Sequence, residues 1–126
     1  MAVPGTVRQM PDVTIYHNPN CNSSVNAVNI AAELGVDAEV VNYRSNPPDA
    51  ATLRAIIAKL EDPVTDLVRR DSLWNKLGLT DADVVTADQV IDVIVANKMI
   101  MQRPLLVTAD TAIIGRPKDR VRALLA

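Results

Sequence analysis

The order of the predicted strands and helices constrains the fold of this 126-residue chain more than any other feature of its sequence. Residues 13–16 are a β-branched and aromatic run typical of a strand, and the turn residues of His17–Asn20 end it. Residues 38–43 indicate a second strand. Between them the spacing predicts a helix over 23–34, ended by Gly35, and strand, helix and strand together have the length of a βαβ unit. The predicted apolar face of that helix is Val25, Val28, Ala31, Ala32 and Leu34.

The middle of the chain predicts helices only. Asp49 is placed to cap a helix whose apolar stripe follows it, and Pro63 begins a shorter helical piece. Residues 72–77 indicate another short helix, closed by Gly78. Thr86-Ala-Asp-Gln89 matches the capping-box pattern and begins the last helix of this region.

The C-terminal part completes the pattern. Two short strands, 105–108 and 111–114, are separated by two residues, as in a tight hairpin, and Pro117 suits the first position of a final helix. The order βαβ, helices, ββα is that of an α/β protein with a thioredoxin-like fold: a mixed four-stranded sheet with an inserted helical subdomain at about residues 49–98. We expect one domain over residues 13–126, preceded by a flexible tail over residues 1–12.

Composition excludes several classes of protein. The chain is 48% hydrophobic, which excludes wholesale disorder, and its formal charge of −2 argues against a nucleic-acid binder. No apolar run approaches the ~20 residues of a membrane helix. The first ten residues lack the charged start and apolar stretch of a secretory signal. We therefore expect a cytoplasmic protein, monomeric, that binds neither nucleic acid nor a membrane.

The chain contains a single cysteine, Cys21, so no internal disulfide can form. Cys21 lies between the first strand and the first helix, where the N-terminal N–H groups and dipole of the helix favour thiolate. A lone cysteine is commonly a small buried apolar group. The polar neighbours Asn20 and Asn22 favour a reactive cysteine instead.

The other polar residues near the cysteine have two interpretations each. His17 could assist the sulfur or simply end the strand, and Ser23 and Ser24 could donate to the sulfur or cap the helix. Ser24 stands where a Cys-X-X-Cys oxidoreductase has its second thiol, which excludes a dithiol mechanism. One cysteine and one histidine do not make a zinc site, so we expect no metal.

Three arginines are candidate anion ligands. Arg103 and Arg116 each precede a proline, which restricts their backbone, and Arg69 lies at the end of an inserted helix. In a thioredoxin-like fold a cis-proline at the start of the third strand faces the cysteine, which would place Arg103 near Cys21. An isolated arginine is usually a solvated surface group, as we expect for Arg54, Arg120 and Arg122. Three guanidinium groups beside a thiolate would instead match a tetrahedral oxyanion.

Taken together, these residues resemble a known family, the glutaredoxin-dependent arsenate reductases with one active cysteine. The similarity extends from about Thr14 to the C-terminus, and its pieces occur in order at compatible spacing. The matching residues are His17-Asn-Pro-Asn-Cys21, Ser24, Tyr43, Asn46-Pro47-Pro48, Arg69, Leu77-Gly78-Leu79, Arg103-Pro104 and Gly115-Arg116-Pro117.

The resemblance implies a thioredoxin-like fold and a role for each site residue. Cys21 would be the nucleophile, His17 would help to keep it ionised, Ser24 and Pro104 would support the site, and the substrate arsenate would be bound by Arg69, Arg103 and Arg116. A small external thiol such as glutathione would reduce the cysteine-bound arsenic, glutaredoxin or an equivalent protein would clear the mixed disulfide, and arsenite would leave, a reaction of arsenic detoxification. No bound cofactor is implied.

One position departs from the family pattern. The family commonly has a basic residue four positions after the cysteine, and this sequence has Val25. A changed thiol partner or substrate therefore stays open, as do two other classes of function. One is an Spx-like regulator that binds RNA polymerase, disfavoured by Ser24 and Arg116. The other is a monothiol glutaredoxin-like thiol transferase, which would not account for three arginines.

Overall fold

The computed structural model describes residues 11–126, so the first ten residues of the tail predicted over 1–12 lie outside the described part of the chain. No helix within the described part is long and apolar enough to cross a membrane. The strands are β1 (Val13–His17), β2 (Ala38–Asn42), β3 (Leu105–Val107) and β4 (Ala112–Ile114). The helices are α1 (Asn22–Glu33), α2 (Ala50–Ile57), α3 (Ser72–Leu77), α4 (Ala87–Ala96) and α5 (Asp119–Leu125), with 3-10 turns at Val64–Leu67, Asp81–Val84 and Lys98–Ile100.

The four strands form one mixed sheet in the order β2-β1-β3-β4. β1 runs parallel to β2, with Ile15 opposite Val40, and antiparallel to β3, with Ile15 opposite Leu106. β3 and β4 are antiparallel. β3 and β4 thus form a hairpin, and β1, α1 and β2 form a βαβ unit. This confirms the predicted thioredoxin-like sheet.

Each face of the sheet has its own hydrophobic core, because alternate residues of a strand point to opposite faces. Helices α1 and α5 cover one face and α2 and α4 the other. The first core contains Val13, Ile15, Ala27, Ile30, Ala31, Leu106, Ile113 and Val121. The second contains Tyr16, Leu105, Ala112 and Ile114 from the strands, Leu53, Ile56, Trp74, Val90, Ile91 and Ile94 from the helices, and Tyr43, Leu67, Val68, Val84, Ile100 and Met101 from the connections.

The predicted helix caps are present. The side chain of Asp49 accepts a hydrogen bond from Thr52 N–H at 2.8 Å and so begins α2. Gly78 ends α3 with φ of +68°, the left-handed conformation that glycine adopts without a Cβ penalty. At α4 the side chains and backbone of Thr86 and Gln89 form the reciprocal pair of a capping box.

Two helical predictions were wrong in detail. The buried face of α1 consists of Ser24, Ala27, Ile30 and Ala31, whereas Val25 is exposed, so the predicted stripe was rotated around the helix. The final helix begins at Asp119 and not at Pro117. Arg116-Pro117 is a cis peptide bond in the chain leading to α5, as Arg103-Pro104 is before β3.

The helical region between β2 and β3 is fastened to the segment that carries Arg103. Val68 pairs with Met101 in an antiparallel bridge. Beside it, Arg69 N–H donates to Ile100 C=O at 2.9 Å and Gln102 N–H donates to Leu67 C=O at 2.7 Å. This bridge brings Arg69 next to Gln102 and Arg103, which are more than 30 positions away along the chain.

Gly115 lies where three side chains leave no space for a Cβ atom. A Cβ there would be 2.7 Å from Pro104 Cγ and 2.9 Å from Leu106 Cδ1. We expect Gly115→Ala to lower the free energy of unfolding by about 1–3 kcal/mol, the usual range for overpacking a core. Urea unfolding followed by circular dichroism measures this, and an unchanged midpoint would show that the neighbouring side chains move aside freely.

Candidate active site

Cys21 is the N-cap residue of α1 and is partly buried. Its backbone is extended (φ −111°, ψ 122°), and its C=O accepts the first hydrogen bond of the helix, from Val25 N–H at 3.0 Å. Among residues 11–126, no side chain makes a capping hydrogen bond to the N–H groups at this helix end. The sulfur therefore lies where the backbone N–H groups of the first turn are available to an anion.

Arg116 contacts the sulfur directly. Its Nη2 lies 3.1 Å from Cys21 Sγ, across 95 positions of sequence. Its Nε donates to Arg103 C=O at 2.8 Å, which fixes the orientation of the guanidinium. The backbone carbonyl of Arg103, another predicted anion ligand, thus holds the Arg116 guanidinium against the sulfur.

These contacts favour the thiolate. Burial raises the pKa of the Cys21 thiol, but the backbone N–H groups of Ser24 and Ser23, the charge of Arg116 and the Ser24 side chain together lower it more. The pKa of Cys21 therefore lies below its ordinary value. Ser24 is fully buried, and its Oγ also accepts from Asn18 N–H at 3.3 Å, which joins the loop after β1 to the first turn of α1.

His17 ends β1, beside this loop. Burial lowers its pKa, opposed by a backbone group of Ser24, so the imidazole is neutral at neutral pH. A neutral ring does not stabilise an anion by charge. The acidity of Cys21 arises instead from the backbone, Ser24 and Arg116. The role of His17 in keeping the sulfur ionised stays a prediction.

Arg69 and Arg103 are each held by neighbours in the chain. Arg69 Nε pairs with Asp71 at 3.1 Å, and its Nη1 donates to Gln102 Oε1 at 3.1 Å. Arg103 Nη1 donates to Met99 C=O at 3.0 Å. Both guanidinium groups, and Cys21, lie close enough to Tyr43 to perturb its phenol electrostatically. The structure thus brings together Cys21, Arg69, Arg103 and Arg116, with the cis-proline Pro104 buried next to them.

Three buried polar atoms lack a hydrogen-bond partner within residues 11–126, and all three belong to this site. They are His17 Nδ1, Tyr43 Oη and Arg103 Nε. The Asn18 side chain lies near the Tyr43 hydroxyl but outside hydrogen-bonding geometry. Unpartnered buried polar groups are costly in a folded protein, and their clustering is typical of a site that a polar ligand completes.

Tyr43 is a donor in this environment. Burial raises the pKa of its phenol, partly opposed by Arg103, so the hydroxyl stays protonated at neutral pH. The donors at the site are the guanidinium groups, the N-terminus of α1 and this hydroxyl. No group of three or more His, Cys, Asp or Glu side chains within residues 11–126 is arranged to hold a metal. What the site offers chemically is a cysteine with a lowered pKa among anion-binding groups.

Several of these residues were not foreseen as site residues. Asp71 and Gln102 orient Arg69, Asn18 is buried at the loop, and Tyr43 was noted only as part of the family resemblance. The interpretation of Arg120 as an ordinary surface charge was wrong. It is partly buried and donates to Asp62 at 2.7 Å and to Ile114 C=O at 2.8 Å. Arg54 and Arg122 are exposed as expected, each in a surface ion pair.

The lowered pKa of Cys21 predicts a specific pH profile. We expect iodoacetamide to alkylate the folded protein with a midpoint at lower pH than it alkylates the same protein unfolded in urea. The physical reason is that only the thiolate reacts, and the folded structure stabilises it. Because Cys21 is the single cysteine, mass spectrometry reports this residue alone. Coinciding midpoints would show that the contacts do not acidify the thiol.

The sheet order, the cysteine that begins the first helix and the arginine against its sulfur define a thioredoxin-like protein with a single-cysteine site. The model of the ArsC family matches residues 16–124, and the chain belongs to this family. It is 39% identical over 111 residues to YfgD of Escherichia coli K12, an uncharacterized protein, covering 86% of this chain and 92% of that one. It is 33% identical over 118 residues to an arsenate reductase of Neisseria meningitidis, covering 92% of this chain and all of that one.

A solved structure agrees with the fold. The arsenate reductase from Vibrio cholerae superposes with a TM-score of 0.80 at 25% sequence identity, covering 93% of this chain and 100% of that one. The likeness therefore includes the helical region between β2 and β3 as well as the sheet.

Proposed function

We propose that this protein reduces arsenate to arsenite, with Cys21 as the nucleophile and an external thiol as the reductant. The observation that carries the proposal is the 3.1 Å contact between Arg116 Nη2 and Cys21 Sγ, with the guanidinium groups of Arg69 and Arg103 nearby. Family membership and the relatives named above support arsenate as the substrate.

Arsenate is a tetrahedral dianion or monoanion at neutral pH, and guanidinium groups bind pairs of its oxygens. In the proposed complex Arg69, Arg103 and Arg116 surround it, and Tyr43 Oη and Arg103 Nε donate to its oxygens and so gain the partners they lack. The guanidinium cations offset the negative charge that would otherwise repel the attacking thiolate, and the neutral hydroxyl stabilises the arsenate oxygens by hydrogen bonding.

The first step is displacement at arsenic. Cys21 Sγ forms a bond to arsenic, and one arsenate oxygen leaves as water after protonation, which gives a cysteine–arsenate thioester. Arsenic stays in the +5 state. The arginines that bound the substrate hold the thioester in place, because its remaining oxygens keep their negative charge.

The second step transfers the electrons. Glutathione adds through its sulfur to the arsenic, with its proton going to an arsenic-bound oxygen. A sulfur–sulfur bond then forms between glutathione and Cys21 as both arsenic–sulfur bonds break, and one electron pair stays on arsenic, which leaves as arsenite. Glutaredoxin or an equivalent thiol protein reduces the mixed disulfide on Cys21. The scheme takes every electron from thiols and requires no cofactor bound to this chain.

Purified protein supplied with glutathione, glutaredoxin, glutathione reductase and NADPH tests the proposal. We expect NADPH oxidation that depends on arsenate, with one arsenite formed per NADPH consumed. Phosphate at equal concentration should compete for binding without supporting oxidation, because it does not accept electrons from sulfur. Absence of arsenate-dependent oxidation with this system and with other low-molecular-weight thiols would refute the assignment.

A further inference from the structure

Tyr43 is a fully buried side chain whose hydroxyl has nothing to bind in the protein. Its ring packs in the core that α2 and α4 cover, and its Oη lacks a hydrogen-bond partner within residues 11–126. A buried hydroxyl without a partner is costly, and phenylalanine would fill the same space without that cost. Packing therefore does not explain why a tyrosine occupies this position.

Tyr43 directly follows β2, at the edge of the sheet from which the chain leads to Cys21. β1 and β2 are parallel, and His17, the last residue of β1, lies opposite Asn42, the last residue of β2. The next residues, Asn18 and Tyr43, therefore leave the sheet side by side. The backbone register thus places the unpartnered hydroxyl beside the loop that carries the cysteine.

The first step of the proposed reaction needs a proton at the departing oxygen, because hydroxide leaves far less readily than water. Guanidinium groups do not release protons at neutral pH, and the Ser24 hydroxyl is far less acidic than a phenol. Cys21 has lost its proton when it attacks, and the lowered pKa of His17 leaves its ring neutral. Of the donors at the site, the phenol of Tyr43 is the acid that still holds its proton at neutral pH.

We propose that Tyr43 is the general acid of the first step and gives its phenolic proton to the arsenate oxygen that leaves. The inference rests on the proposed function. As Cys21 Sγ bonds to arsenic, the bond from arsenic to a hydroxyl oxygen breaks, the phenolic proton moves to that oxygen, and water departs. The products are the cysteine–arsenate thioester and the Tyr43 phenolate, which takes a proton from solvent before the next turnover. Arsenic stays in the +5 state.

The charges around the phenol favour this transfer. Burial raises the pKa of Tyr43, which keeps the proton in place before reaction, whereas the guanidinium groups of Arg103 and Arg69 lower it and so stabilise the phenolate. As the sulfur bonds to arsenic, its negative charge passes to the departing oxygen. That oxygen becomes the base that takes the proton.

Tyr43→Phe tests the role because it removes the hydroxyl and keeps the ring. We expect kcat for arsenate reduction to fall about a hundredfold at saturating arsenate with glutathione and glutaredoxin in excess, a usual contribution of a general acid. Phosphate should still protect Cys21 from iodoacetamide, at about threefold higher concentration, since one neutral hydrogen bond is lost. Without phosphate, the pH midpoint of alkylation should stay at the wild-type value, because the hydroxyl carries no charge.

The chain has two tyrosines, and Tyr16 provides the matched control. It packs in the same core, but the charges that reach its phenol are those of Glu39 and Asp49. Tyr16→Phe removes the same atom and should keep kcat within about twofold of the wild type. Tyr43→Phe should unfold at the same temperature as the wild type or a higher one, because it removes a buried group that lacks a partner within residues 11–126.

The two readouts separate proton transfer from binding. A kcat about a hundredfold lower with nearly normal phosphate protection supports the proposal. A kcat within about threefold of the wild type overturns it, as does a loss of phosphate protection as large as the loss of kcat, which would make the hydroxyl a binding group alone. Wild-type protein that does not reduce arsenate would refute the proposed function and this inference with it, whereas an active wild type and an equally active Tyr43→Phe would refute the inference alone.

Discussion

Cys21→Ser is expected to lower arsenate-dependent thiol oxidation at least about a thousandfold, because the hydroxyl is a far weaker nucleophile and cannot form a disulfide. The measurement is NADPH oxidation in the glutathione–glutaredoxin system at saturating arsenate. Serine has nearly the size of cysteine and Cys21 is only partly buried, so the thermal unfolding midpoint should stay close to that of the wild type.

A matched control is available in the same helix turn. Ser23→Ala removes a side chain that makes no hydrogen bond within residues 11–126 but leaves the backbone N–H that faces the sulfur. It should keep activity within about twofold, since the backbone carries the interaction. Retention of about a tenth of wild-type activity by Cys21→Ser would exclude the covalent mechanism.

Arg116→Gln is expected to lower kcat/KM for arsenate about a hundredfold, the effect of removing one preorganised charged donor. It should also raise the pKa of the Cys21 thiol, because Arg116 is one of the groups that stabilises the thiolate. The iodoacetamide profile would then shift to higher pH, since the thiol loses its proton only as the pH approaches this higher pKa. Kinetics and alkylation thus report the same contact independently.

Arg122→Gln is the control for Arg116→Gln. Arg122 is exposed and pairs with Glu33 across the α1–α5 surface, away from the sulfur. Its loss should leave both kcat/KM and the alkylation midpoint unchanged. If Arg116→Gln alters kcat/KM but not the midpoint, the guanidinium serves substrate binding alone.

Local chemistry explains which parts of the fold were predictable. Capping residues such as Asp49 and Thr86 act on N–H groups three positions away, so their effect is visible in sequence, and the structure shows both. The phase of α1 was not predictable, because Ser24 is buried through its contacts with Asn18 and Cys21 and apolar Val25 is turned outward. Burial there follows from the site and not from hydrophobicity.

Some features of the candidate site could likewise be predicted from the sequence and others could not. Cys21 at a helix N-terminus follows from the strand–turn–helix order, and the arginines came from residue type and from the family resemblance. The contacts that orient these arginines could not be predicted from the sequence, because they join residues that are far apart in the chain. Gln102 accepts from Arg69 over 33 positions, and Arg116 contacts Cys21 over 95. Such pairings depend on how the chain folds back. The start of α5 was placed too early because proline suits the first position of a helix, whereas the structure has Pro117 two residues before Asp119, where α5 begins.

The bridge between Val68 and Met101 has a consequence for which mutations the site tolerates. Arg69 and Arg103 come from separate segments, and one short antiparallel bridge holds these segments together. A substitution that weakens this bridge, even one distant from any reacting atom, would displace both guanidinium groups at once and so weaken anion binding. Tolerance to mutation along residues 64–68 and 99–102 should therefore be as narrow as at the arginines themselves.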